Sequence, residues 1–182
     1  PAWVVMSPPC GKLSKLQTWT PPNSRRDVDE FDSEVQMAIG VIGLCLEAAA
    51  FQIEEGRHFV FESSSSSTIG KLPEMIDFVI SCLPFVVDAS ACRFGKKDLK
   101  SNMFFDKKWR FMTNAEEIAQ EIDAQYGEAA EARCDDDDDA QSMTVPQHAR
   151  SVTRTIWSQV YPPPLVKALL RGMLRSTEGE NV

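Results

Sequence analysis

Apolar and polar residues alternate along this chain in blocks that switch between a strand-like and a helix-like period. Trp3-Val4-Val5-Met6 is an unbroken apolar run of strand length. It stops at Ser7-Pro8-Pro9, where two residues without an N–H cannot continue a ladder, so the chain must leave the sheet there. From a cap at Asp27 or Asp29, apolar residues recur at Val35, Ala38, Ile39, Ile42, Leu46, Ala49 and Ile53. That spacing predicts a helix with one broad apolar face, running to about Glu55 and ended by Gly56. His58 to Glu62 is again a strand pattern, so the first three elements predict a strand–helix–strand crossover and a parallel pair. Further elements follow: a helix over Leu72 to Leu83, a strand over Phe85 to Asp88, and a strand over Trp109 to Met112. Thr113 or Asn114 can cap a helix from Ala115 to about Tyr126. Near the end, Tyr161-Pro162-Pro163-Pro164 leads into a helix over Leu165 to Leu174, with proline tolerated at its start.

The alternation of strands and helices predicts an α/β fold. Three segments are expected: an α/β core over 1–126, an acidic flexible linker over 127–150, and a closing segment with its helix over 151–182. The linker contains five consecutive aspartates, Asp135 to Asp139, which repel one another and offer no fixed ligand geometry. Residues 18–26 and the serine run Ser63 to Ser67 read as flexible loops, the second of which would loosen any function placed on Glu62.

Composition narrows the class. With 182 residues and 43% hydrophobic content the chain can bury a core. Five cysteines without a Cys-x-x-Cys spacing argue against both a zinc site and a disulfide framework, and no metal site is expected. Reduced thiols, no basic apolar leader, and an apolar stretch from Met37 to Ala50 too short for a bilayer predict an intracellular protein of cytosol or nucleus, without a membrane. The net charge of −8 opposes a general affinity for phosphate backbones. The exception is the segment from Arg93 to Arg110, where Lys96, Lys97, Lys100, Lys107 and Lys108 interleave with Phe94, Phe104, Phe105 and Trp109. Such a mixture serves either to track a nucleic acid and stack its bases or as a solvated loop flanked by core aromatics.

The candidate chemistry lies at strand ends. If the first two strands are parallel neighbours, Cys10 on its proline-stiffened loop and Glu62 emerge at one edge of the sheet. The carboxyl edge is where open α/β sheets place their sites. A structural turn with an inert thiol is the competing reading of Cys10. His58 and His148, the only histidines, stand in different contexts and pair with no evident nucleophile.

Ser7-Pro8-Pro9-Cys10-Gly11-Lys12-Leu13-Ser14 resembles the catalytic loop of the DNA cytosine-5 methyltransferases, and Phe61-Glu62 stands where that family has its Glu-Asn pair. Ser158-Gln159-Val160-Tyr161-Pro162-Pro163-Pro164-Leu165 is similar to the family's closing motif, and the three follow the family's order. Cys92-Arg93-Phe94-Gly95 and Lys107-Lys108-Trp109-Arg110 add a likeness to the short phage and mobile-element members. The resemblance implies a Rossmann-like methyltransferase fold, incomplete here because the amino-terminal cofactor-binding strands are absent, and so a piece of a longer polypeptide. It implies Cys10 as the nucleophile on cytosine C6, Glu62 as the acid at N3, and S-adenosylmethionine as methyl donor, near Pro8, Pro9, Val160 and Pro162. It also implies DNA contacts from Ser14, Trp19, Arg25, Lys107, Lys108 and Arg110. Gly11, Ser63 and the serine run depart from the family's pattern. They favour the alternative, a non-catalytic remnant or nucleic-acid-associated domain of a mobile-element polyprotein.

Overall fold

The computed structural model describes residues 2–13, 28–92, 94–96, 107–130 and 161–179. Strand β1 (Trp3–Met6) is followed by helix α1 (Val28–Glu54), β2 (His58–Ser64), α2 (Pro73–Cys82), β3 (Phe85–Ser90), β4 (Lys108–Thr113), α3 (Glu116–Ala130) and α4 (Pro163–Gly179). Short 3-10 turns span Gly11–Leu13 and Ile69–Lys71. The four strands form one sheet in the order β1-β2-β4-β3. β1 and β2 are parallel, with Trp3 opposite His58 and Met6 opposite Phe61. β4 runs against its neighbours. Thr113, at its end, donates to the Phe59 carbonyl near the start of β2, and the Ala91 N–H just past β3 donates to Lys107 just before β4. The sheet is therefore mixed, and the α/β class follows.

The chain divides into two compact units. The first comprises Pro1–Val86 and Arg110–Ala115. Its core gathers Leu13, Ile42, Leu46, Ala49, Phe59, Phe61, Met75, Phe78 and Met112, with Val4 and Met6 packed against them. The period-2 alternation of β1 and β2 sends Val4, Met6, Phe59 and Phe61 to the face that α1 and α2 cover. Burying one such side chain is worth about 1.5–3 kcal/mol, so this face holds the unit together. Phe59 and Phe78 meet edge to face at 5.8 Å. Gly56, at φ +65°, supplies the left-handed residue that turns the chain out of α1 toward β2.

Two expectations change here. From Phe31 to Glu54, α1 is long and apolar enough by length and composition to cross a membrane, so the apolar span is longer than the Met37–Ala50 stretch suggested. Its stripe of Ala38, Ile42, Leu46 and Ala49 is buried, while Met37, Leu44 and Phe51 are exposed on its other side. The serine run is also not merely a loop. Ser63 and Ser64 belong to β2, and Ser63 is buried.

The second unit comprises Val87–Trp109 and Glu116–Val182. Here α3 and α4 pack face to face through Ile118, Ile122, Leu165 and Ala168, all buried. Gly172 sits directly on Ile118: a Cβ placed at Gly172 would lie 2.6 Å from the Ile118 Cα. The Arg175 guanidinium donates to Glu121 at 2.8 Å. Helix α3 extends to Ala130, into the segment expected to be linker, and residues 131–150 lie outside those described.

Candidate functional site at the carboxyl edge of the first two strands

Parallel pairing in the register Met6↔Phe61 makes Ser7 and Glu62 the next residues on adjacent strands. The Ser7 hydroxyl donates a hydrogen bond to the Glu62 carboxylate. Glu62 is 8% exposed, an unusual place for a carboxylate. A buried acid needs a partner, and Ser7 supplies it from the neighbouring strand rather than from position 63, where the family resemblance places an amide. The sequence pattern alone assigns Ser7 no role. The signal available was its position one residue past a strand end, level with the acid.

After Ser7 the chain turns sharply. Pro8 is buried and Pro9 exposed. The Leu13 N–H donates to the Cys10 carbonyl at 3.1 Å, closing the 3-10 turn Gly11–Leu13. That turn is tied to the segment after β2. The Thr68 N–H and hydroxyl both donate to the Leu13 carbonyl, at 2.8 and 2.7 Å. The Ser67 N–H donates to Ser64 and the Ser67 hydroxyl accepts from the Ile69 N–H. The serine-rich segment thus locks the two loops of this edge together instead of loosening Glu62.

Cys10 is half-buried and free, and it packs against the apolar cluster under α1. Both Cys10 and Glu62 therefore stand at one edge of the sheet, with Ser7 bonded to the acid and the thiol in apolar contact. Within β4, Arg110 alternates with Phe111. It is exposed and lines a cavity with Phe61 and Ser63, on the face opposite Glu62. His58 stacks on Trp3 at 4.5 Å at the opposite end of β2, far along the strand from Cys10.

In the second unit the basic stretch divides. Phe94 and Trp109 are buried, so neither presents a face to a base. Lys96 and Lys107 lie over the Trp109 ring, 5.6 and 5.2 Å from its centroid, and Tyr161 meets that ring edge on. Lys96 is 5% exposed, and burial, reinforced by the charge of Lys107, lowers its pKa to about 8. Lys108 is exposed. Pro162 is buried, and its carbonyl accepts the first N–H groups of α4. Val160, Ser14, Trp19 and Arg25 lie outside the described residues. Among the described residues no group of three or more His, Cys, Asp or Glu could hold a metal ion.

No protein-family model matches this chain, and neither a curated protein nor a solved structure does.

Proposed function

We propose that this chain carries the base-activating part of a DNA cytosine-5 methyltransferase-like protein, with Cys10 as nucleophile and Glu62 as acid. The observation that carries the reading is the juxtaposition of the two loops: parallel β1 and β2 end side by side, with buried Glu62 held by Ser7 three residues before Cys10.

The chemistry suits these groups. A Cys10 thiolate adds to C6 of a cytosine lifted from the stack, forming the S–C6 bond as the C5–C6 double bond opens toward C5. Glu62, as the acid, gives its proton to N3, which neutralises the negative charge developing across the ring, and takes it back when the thiolate leaves. Ser7 holds the carboxyl in place between these steps.

On the resemblance, the methyl donor is S-adenosylmethionine. The residues described here do not fit its pocket. Pro8 and Pro162 are buried, Pro9 stands alone on the surface, and among the described residues no strand runs into a glycine-rich turn. No methyl-transfer step is therefore assigned to them.

The test uses duplex DNA with 2-pyrimidinone in place of cytosine, which accepts a thiolate at C6 without a methyl donor. The expected result is an adduct that survives denaturation and is lost in Cys10→Ala but kept in Cys82→Ala. The second reading, a nucleic-acid-associated domain without turnover, is favoured by the packing of Cys10 against the apolar cluster. It expects salt-dependent DNA binding that Cys10→Ala leaves unchanged, and no adduct.

A further inference from the structure

Beneath α2, on the face of the sheet away from Glu62, lies an open cavity of about 240 Å³ within the first unit. Its floor is the outer end of the core, with Phe61, Ile69, Met75 and Met112 all buried. Toward its mouth stand Ile76, Ile80 and Val86, which are 44%, 68% and 51% exposed, so the apolar lining reaches the surface. Alternation along β2 sends Ser63 to the same face as Phe61, and both line the cavity. Ser63 is 7% exposed, and no group among the described residues bonds its hydroxyl. The other lining serines are engaged: the Ser64 hydroxyl pairs with Ser66, and the Ser67 hydroxyl accepts from the Ile69 N–H. A buried hydroxyl without a partner is costly, and one bordering a cavity takes its partner from whatever fills the cavity. A lone water is a poor filler, because it needs about two to four polar partners and most of this wall is hydrocarbon.

We infer that this cavity binds a compact, neutral, mostly apolar molecule bearing one hydroxyl, with its hydrocarbon body between α2 and the sheet and its hydroxyl on Ser63. The volume sets the size. It equals about eight water volumes, which admits a body of about eight non-hydrogen atoms and excludes a long lipid chain lying wholly inside. The state of the lining sets the charge. Arg110, the one ionisable residue among the described lining residues, already has a partner, so an ionised ligand would be buried without a counterion of its own. A hydroxyl suits Ser63 because each can donate to or accept from the other. The inference is independent of the methyltransferase reading, since neither Cys10 nor Glu62 lines the cavity.

Calorimetric titration of the full chain at neutral pH with 4-methylphenol, toluene and sodium 4-methylbenzoate tests it. The expected result is one 4-methylphenol site of submillimolar affinity, with 4-methylbenzoate bound at least tenfold more weakly. Ser63→Ala should weaken 4-methylphenol about fivefold and leave toluene, which has no group for the hydroxyl, unchanged. Ile76→Trp places an indole over the mouth from a partly exposed position and is expected to abolish binding of both, with the thermal melt of each variant confirming that it folds. Four results would overturn the inference: no heat from 4-methylphenol at millimolar concentration on the folded chain, 4-methylbenzoate bound as tightly, a Ser63→Ala effect that is absent or shared by toluene, or binding that Ile76→Trp leaves intact. Sedimentation run alongside provides a fifth: a dimer that 4-methylphenol does not dissolve and Ile76→Trp does would assign the patch to a second copy of the chain.

Discussion

Replacing Gly172 by alanine puts a number on the closeness of α3 and α4. The added Cβ would stand 2.6 Å from the Ile118 Cα and 2.9 Å from its backbone nitrogen, where ordinary contact begins at 3.4 Å. Backbone cannot rotate away as a side chain can, so α4 must retreat by about 1 Å along a seam that buries Ile118, Ile122, Leu165 and Ala168. Overpacking of this kind costs about 1–3 kcal/mol. Against it stands the gain of about 1 kcal/mol from removing a glycine inside a helix. The net expectation is a loss of up to about 2 kcal/mol, or a melting temperature lower by up to roughly 4–8 °C for a chain of this size. Gly40, in α1, is the control: it too is helical, but a Cβ there meets nothing within 4 Å. Gly40→Ala should therefore gain the propensity term alone and raise the melting temperature by about 2–4 °C. Urea and thermal unfolding of the two variants give the comparison directly. Shifts of the same sign in both variants would refute the argument from close approach.

Two further outcomes follow from the polar contacts. Thr68→Val keeps the shape of the residue but removes the hydroxyl donor to Leu13, leaving only the backbone bond. A loss of about 1 kcal/mol is expected, with faster amide exchange across Gly11–Leu13, and unchanged exchange there would contradict the view that this residue pins the loop. Lys96 is held near a pKa of about 8 against an ordinary 10.5, so between those values the unfolded chain carries a proton that the folded chain has lost. Stability should rise with pH across that window, on the order of 2 kcal/mol, relative to Lys96→Met, in which the titration is removed. Parallel stability curves for wild type and Lys96→Met between pH 8 and 10.5 would contradict it.

Much of this architecture was legible in the order of residues because local physics decides it. Pro8 and Pro9 stop β1 by lacking donors, and β1 does end at Met6. The start expected near Asp27 or Asp29 and the left-handed Gly56 bound α1 within a residue or two of their expected places. The strand context of Cys10 and Glu62 was legible for the same reason, since a crossover helix between two apolar strands leads to parallel neighbours. What was hidden depends on partners distant in sequence. Nothing in Lys108–Thr113 announces that it runs antiparallel between β2 and β3, because its alternation is the same in either direction. The serine run reads as flexible by composition, yet Ser63 is held in the sheet and Thr68 bonds to a residue 55 positions away. The closing helix packs on α3 through a glycine whose value lies only in what faces it, and no local pattern around Gly172 names that neighbour.

The central claim is that Glu62, held by Ser7, assists addition of the Cys10 thiolate to a pyrimidine ring. The rate of adduct formation on 2-pyrimidinone DNA, followed in wild type, Glu62→Gln and Ser7→Ala, bears on it most directly, with the adduct mapped by peptide mass. The account predicts an adduct at Cys10 that forms at least a hundredfold more slowly in Glu62→Gln and to an intermediate degree more slowly in Ser7→Ala. An adduct on another cysteine, or none from wild-type protein that is folded and bound to the DNA, would contradict it.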